Sequence, residues 1–144
     1  AVNRAGSIAV TAGKDGKAGV WSLVTKQRMG QLTGHEDFVI HTVFAPNGRV
    51  VATSSSDRTV RVWSMGNFKP VAKIEDQSFV GAPICFTGDG KFLITANDAD
   101  AIQINNVTPA QGTGSGAAAG PKPKLSRVSL RVTKPLGKKK PGGK

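Results

Sequence analysis

The first 105 residues of the chain repeat with a constant step of 42 residues. Segments that lie one or two steps apart align without a gap: 8–15 with 50–57 and 92–97, and 19–22 with 61–64 and 101–104. Three glycines in predicted turns keep the same step, Gly6, Gly48 and Gly90. A fixed period of this length is typical of architectures in which similar units stack side by side.

Each unit consists of short segments that predict strands. Val39–Phe44 is apolar and partly β-branched, Pro46–Gly48 turns the chain, and Val50–Thr53 forms a second strand. Thr59–Trp63 alternates polar and apolar residues as a third strand, and residues 69–74 form a weaker fourth. No segment has a convincing helical period. Four short strands in such a unit predict a blade of a β-propeller, so the expected fold class is all-β.

The repeat resembles the WD40 family over roughly residues 1–105. The residues that carry the resemblance in the second unit are Gly34-His35, Phe44-Ala45-Pro46-Asn47-Gly48, Asp57 and Trp63-Ser64, with Ser64 where the family has Asp. The third unit departs from the pattern, with Asp76-Gln77, Ala99 and Asn105 at the corresponding positions. We therefore expect the third blade to be less tightly braced.

The resemblance implies a structural role for four residues. In the family, a His, a strand Ser or Thr, a turn Asp and a strand Trp bond in series within one blade. These residues are His35, Thr53 (or Ser55), Asp57 and Trp63 in this chain. A buried series of this kind stiffens a blade when every member has a partner.

The number of units predicts an incomplete propeller of about two to three blades. WD40 propellers need at least about 4 blades, whereas residues 1–108 supply the end of one unit, a complete second unit and most of a third. We expect the remaining blades to come from missing residues, as in the C-terminal portion of a longer propeller, or from another chain. The predicted organisation is a partial propeller over 1–108, a Gly/Ala/Ser-rich linker over 109–120 and a mostly irregular basic tail over 121–144.

Charge is concentrated in that tail. Residues 1–108 contain 11 basic and 9 acidic residues, whereas 109–144 contain 9 basic residues and no acidic one. Such a balance favours an acidic polymer as a partner, either tubulin or RNA. The tail has no aromatic residue for base stacking. The predicted contact residues are Lys122, Lys124, Arg127, Arg131, Lys134, Lys138, Lys139, Lys140 and Lys144.

Other classes of site find little support in the sequence. The only cysteine, Cys85, cannot form an internal disulfide, which favours a reducing, intracellular compartment, and its apolar strand predicts a small core residue. The spacing of His35 and His41 fits no common zinc motif. No apolar run approaches the length of a membrane span. We expect no cofactor, no metal, no membrane contact and no enzymatic activity.

The leading functional hypothesis is a scaffold subunit that binds other proteins in a large assembly. A microtubule-based structure such as a cilium, axoneme or centriole is preferred because the tail lacks aromatic residues, which places the protein in the cytoplasm or cytoskeleton. The alternatives are a structural subunit of a ribonucleoprotein, such as a ribosome or its precursor, and an adaptor or substrate receptor of an enzyme complex.

One segment of the tail has the pattern of a strand. Val128, Leu130 and Val132 alternate with polar residues between Arg127 and Thr133. The third unit has no clear fourth strand after Ile104. We therefore expect residues 127–133 to pair as an edge strand, either with the last blade of this chain or with a neighbouring protein, and the two arginines favour the neighbour.

Overall fold

A computed structural model describes residues 1–75, 83–96, 101–107 and 127–131. These residues form strands and turns and no helix, so the all-β prediction is confirmed. The strands are β1 Ile8–Ala12, β2 Lys17–Ser22, β3 Gln27–Thr33, β4 Val39–Phe44, β5 Val50–Ser55, β6 Val60–Ser64, β7 Pro70–Ile74, β8 Ile84–Phe86, β9 Phe92–Ala96, β10 Ala101–Asn106 and β11 Arg127–Arg131. They make three antiparallel sheets: the first is β1-β2-β3, the second β4-β5-β6-β7 and the third β8-β9-β10-β11.

The repeat appears in the backbone hydrogen bonds as well as in the sequence. Each glycine turn closes with the same bond, because the amides of Gly6, Gly48 and Gly90 donate to carbonyls three residues earlier at 2.9, 2.8 and 2.8 Å. All three glycines have φ between 67° and 70°, a conformation that other residues rarely adopt. The 42-residue spacing of these glycines therefore reflects a turn of the same conformation in each of the three sheets.

A second set of repeated bonds connects two turns at the same end of each sheet. The bonds run from the amides of Leu23, Met65 and Val107 to the carbonyls of Ser7, Arg49 and Lys91, at 2.8, 2.9 and 3.0 Å. We call this end of the three sheets the glycine-turn end. The opposite end, which carries the β1–β2, β3–β4 and β5–β6 connections, is called the His35 end.

The sheets pack face to face through alternating strand residues. Val10, Ala18, Val20 and Leu32 of the first sheet meet Val39, Val51 and Trp63 of the second. On its other face, the second sheet packs Ala52, Val60, Val62 and Ile74 against Leu93 of β9 and Val107, which follows β10. Because side chains point to opposite faces at successive positions, β4, β5 and β6 each contribute to both cores.

The pairing of β11 corrects one expectation. Residues 127–131 do form a strand, but they pair with β10 of the same chain, from Ala101 opposite Arg131 to Asn105 opposite Arg127. The preference for a neighbouring protein was wrong, because the outer edge of β10 is free to accept this strand as the fourth of the third sheet. Residues 132 and 133 lie outside the described residues.

Cys85 also differs from its prediction as a core residue. It lies in β8 but is exposed. Its neighbours Ile84 and Phe86 both pack against the core between the second and third sheets. Since successive side chains in a strand alternate between faces, those two bulky residues direct the thiol outward.

Candidate functional site

The four residues predicted to bond in series are brought together in the second sheet. His35 Nδ1 lies 2.8 Å from Asp57 Oδ2, and His35 Nε2 lies 2.7 Å from Thr53 Oγ1. The indole nitrogen of Trp63 donates to the same Thr53 oxygen at 2.8 Å. Thr53 is therefore the strand hydroxyl of the series. The alternative, Ser55, donates to the carbonyl of Asp37 and accepts from the amide of Asp57 instead.

The chemistry of the two ends fixes the direction of the series. An indole N–H can only donate and a carboxylate can only accept. Trp63 therefore donates to Thr53 Oγ1 and His35 Nδ1 donates to Asp57, and Thr53 Oγ1 donates to His35 Nε2 when the imidazole is neutral. This arrangement needs a neutral imidazole. Burial lowers the pKa of His35 below its ordinary value of 6.5, since the hydrogen bond and charge of Asp57 only partly offset the loss of solvent.

Asp57 accepts more bonds than the series alone requires. Burial raises the pKa of its carboxyl, but hydrogen bonds from Thr59, His35 and the amide of Glu36 outweigh that effect and bring the pKa to about 2. The side chain and amide of Thr59 donate to Oδ1 at 2.7 and 2.9 Å, and the amide of Glu36 donates to Oδ2 at 3.1 Å. A single carboxylate thus joins the β5–β6 turn to the loop before β4.

Gly34 explains why a glycine precedes the histidine. Its φ is 152°, which other residues rarely adopt. A Cβ at this position would lie 3.0 Å from Arg61 Nη1 and 3.3 Å from Trp63 Cη2. A side chain at position 34 would therefore crowd Arg61 and Trp63. Glycine at this position allows the loop to place His35 over the second sheet.

The first sheet contains half of the same arrangement. One step of 42 residues before Trp63 and Thr53, Trp21 donates to Thr11 Oγ1 at 3.0 Å. Trp63 is 1% exposed and Trp21 is 38% exposed. Trp63 is covered by the first sheet, whereas the matching face around Trp21 is open among the described residues and forms a shallow apolar pocket with Ala9, Leu23 and Lys26.

The third sheet keeps the position of the threonine and loses the indole. Thr95, one step after Thr53, is fully buried. Asn105 stands at the Trp position, also buried, and its side-chain amide donates to the carbonyl of Leu93 at 3.4 Å. The other departures from the pattern, Asp76-Gln77 and Ala99, lie outside the described residues. Weaker bracing of this blade stays a prediction.

The tryptophan pair gives a matched test of the series. Trp63→Phe is expected to lower the free energy of unfolding by about 2 kcal/mol, because Thr53 loses a buried donor. Trp21→Phe removes the same type of bond at an exposed site and should change it by less than about 0.5 kcal/mol. Urea unfolding of the whole chain, followed by circular dichroism, measures both. Equal losses in the two variants would contradict a special role for the buried series.

Sites for other chemistry are not apparent in the described part of the chain. His41 is exposed on β4. Among the described residues, no three His, Cys, Asp or Glu side chains are grouped so that they could hold a metal ion. None of the described residues belongs to a helix long and apolar enough to cross a membrane.

The predicted contact residues of the tail mostly lie outside the described residues. Arg127 and Arg131 are placed at the two ends of β11 by their backbone. Lys122, Lys124, Lys134, Lys138, Lys139, Lys140 and Lys144 are not described.

Five basic residues that were not predicted as a site lie in the turns of the glycine-turn end: Arg4, Lys26, Arg49, Lys69 and Lys91. All five are exposed. The repeat carries a signal for part of this set, since Arg49 and Lys91 lie one step of 42 residues apart. Which turns share an end follows only from the strand directions.

Comparison with known proteins identifies the repeat. The family described as WD40, "WD domain, G-beta repeat", matches residues 26–64. Protein HIR1 of Mycosarcoma maydis is 34% identical over 93 residues, which are 60% of this chain and 9% of that protein. Periodic tryptophan protein 2 of Saccharomyces cerevisiae is 35% identical over 97 residues, 67% of this chain and 10% of that protein.

A third relative is Pre-mRNA-processing factor 19 of Mus musculus, 31% identical over 91 residues, 62% of this chain and 18% of that protein. The chain thus corresponds to less than a fifth of the length of each of these relatives. The matched region includes His35, Thr53, Asp57 and Trp63, the four residues of the buried series. The repeated sheets, the buried series and the sequence match together show that this chain belongs to the WD40-repeat family.

Proposed function

We propose that this chain is a non-catalytic scaffold that binds other proteins and RNA within an intracellular ribonucleoprotein. The observation that carries the scaffold role is the closed series from Trp63 to Asp57. Because its polar groups are hydrogen-bonded to one another, they stiffen the blade and are not available to act on a substrate. Rigid sheets that present several loops suit the binding of protein partners.

The choice of RNA over microtubules rests on the relatives. One of them is named for pre-mRNA processing. None of the three relatives described above has a name that mentions a microtubule, a cilium or a centriole, so the microtubule hypothesis gains no support from them. No observation favours the adaptor hypothesis.

The basic C-terminal segment supplies the RNA contact in this proposal. Lysines attract phosphates without regard to base sequence, and each contact releases counterions, so binding weakens steeply with salt. The strand β11 limits how this can be tested, because deleting residues 121–144 would also remove the fourth strand of the third sheet.

A better variant changes Lys138, Lys139, Lys140 and Lys144 to Gln and leaves β11 in place. Binding of a fluorescent 30-nucleotide oligo(U) to the full chain is measured between 50 and 300 mM salt. If all four lysines contact phosphates, the slope of log K against log salt should become shallower by about 3, at roughly 0.7 per contact with a single strand. Sedimentation with microtubules provides the comparison. Tight binding to microtubules together with none to oligo(U) would overturn the proposal.

A further inference from the structure

The glycine-turn end has a charge distribution unlike that of the rest of the fold. Arg4, Arg49 and Lys91 lie in or beside the three glycine turns and form an inner row. Lys26 and Lys69 lie in the β2–β3 and β6–β7 turns and form an outer row. We call these five residues the basic turn surface. The one described carboxylate at this end is Asp89, which faces Lys91 at 3.8 Å.

The turns of this surface are adjacent in space. A cleft between the first two glycine turns is lined by Asn3, Arg4, Ala5, Pro46, Asn47 and Gly48. A Cβ on Gly90 would lie 3.4 Å from Pro46 Cδ, so the third glycine turn abuts the second. The repeated bonds from Leu23 to Ser7 and from Met65 to Arg49 join the inner row to the outer turns of the same sheets. The turns that carry these charges therefore lie side by side at one end of the fold.

The charged residues at the His35 end show that positive charge is not spread uniformly over the described part of the fold. The other five carboxylates among the described residues all lie at the His35 end: Asp15, Glu36, Asp37, Asp57 and Glu75. Basic residues occur there too, including Lys14, Lys17 and Lys73, but they are interspersed with acids, and Lys73 pairs with Glu75 at 2.8 Å. Among the residues that the structure describes, the cations nearly free of competing carboxylates are those of the glycine-turn end.

We propose that the basic turn surface binds the phosphate backbone of single-stranded RNA. The guanidinium groups of Arg4 and Arg49 can each hold a phosphate through two hydrogen bonds, and the lysines add point charges. Asn3 and Asn47 are among the residues that line the cleft between the arginine-bearing turns. The choice of RNA as the polymer rests on the proposed function, whereas the location of the surface does not.

The last described residue of the tail lies away from this surface. Strand β11 starts opposite Asn105 and ends opposite Ala101, so its last residue, Arg131, is at the His35 end. That end lies opposite the basic turn surface. Variants of the two regions can accordingly be tested independently.

The test compares two triple variants of the full chain with equal charge. Arg4→Gln, Arg49→Gln and Lys91→Gln neutralise the inner row, and Lys14→Gln, Lys17→Gln and Lys73→Gln remove three cations from the His35 end. All six side chains are exposed, and each set contains one lysine that pairs with a carboxylate. With 30-nucleotide oligo(U), the inner-row variant should flatten the salt slope by about 2 and bind on the order of 100-fold more weakly at 0.1 M salt. The His35-end variant should differ from the wild type by less than about threefold.

Three outcomes would overturn this proposal. The first is equal weakening by both triple variants, since that would reflect overall charge. The second is an inner-row variant that binds like the wild type while the tail variant loses binding, a result that would leave the proposed function intact. The third is displacement of oligo(U) by poly-glutamate at an equal concentration of charge, which would assign the surface to acidic proteins. Loss of binding confined to the inner-row variant, with weak competition by poly-glutamate, would support it.

Discussion

Replacing Asp57 by Ala is expected to lower the free energy of unfolding by about 3 kcal/mol. The carboxylate accepts bonds from His35, from the amide of Glu36 and from both the amide and hydroxyl of Thr59, and its side chain is only 7% exposed. Alanine leaves these donors without an acceptor where water has little access. Urea unfolding of the full chain, followed by circular dichroism, measures the loss.

Asp15 is the matched control, because it lies one step of 42 residues before Asp57. It is exposed and accepts the amide of Lys17 at 3.2 Å. Asp15→Ala should therefore cost less than about 0.5 kcal/mol. Combining Asp57→Ala with Trp63→Phe should cost less than the sum of the single changes, since both interrupt one series. Additive losses, or equal losses at Asp15 and Asp57, would count against the series as a shared network.

Leu93→Ala is the second change with a large expected effect, a loss of about 3 kcal/mol in the free energy of unfolding. Leu93 is fully buried between the second and third sheets, in a cluster with Val60, Val62 and Val107. Alanine would remove buried apolar volume and leave a cavity that rigid strands cannot close. The same urea experiment measures it.

Leu23→Ala provides the control for the leucine change. Leu23 is 45% exposed beside Trp21. Its truncation removes similar atoms from a site that water already reaches, so a loss below about 1 kcal/mol is expected. If Leu93→Ala cost no more than Leu23→Ala, the third sheet could not be packed on the second as described.

Much of the second sheet could be predicted because its signals are local and repeated. The alternation in Val60–Trp63 and the glycine of the Pro46–Gly48 turn each specify a short-range structure, whereas the roles of His35 and Asp57 were implied by the family resemblance. The 42-residue step then relates the units without knowledge of their packing. The positions of Thr53 and Trp63 on neighbouring strands follow from the antiparallel register, which pairs Val51 with Trp63 and Thr53 with Arg61.

The partner of β11 could not be predicted from its own residues. Alternation in 127–131 indicates a strand but carries no information on which free edge it joins. That choice depends on the unpaired edge of β10 in the folded chain. The exposure of Cys85 could not be predicted for a related reason. A strand of three residues is too short to show which of its side chains face the core, and here the packing of Ile84 and Phe86 places the cysteine outside.

The basic turn surface was missed because its members are scattered along the sequence. Arg4, Arg49 and Lys91 are separated by more than 40 residues each. They meet only when successive strands reverse direction and three equivalent turns come to one end. Net charge, the quantity available from composition, does not distinguish the two ends of the sheets.

The fluorescence of the two tryptophans can be used to follow this protein without an added label. The chain contains no tyrosine, so its ultraviolet emission originates from Trp21 and Trp63. Indole emission moves to shorter wavelength as water is excluded from the ring. Trp63, enclosed between two sheets, reports loss of the fold, whereas Trp21, on an open face of the first sheet, reports any molecule that covers that face. A quencher such as iodide separates the two signals, because it reaches Trp21 and not Trp63 in the folded chain.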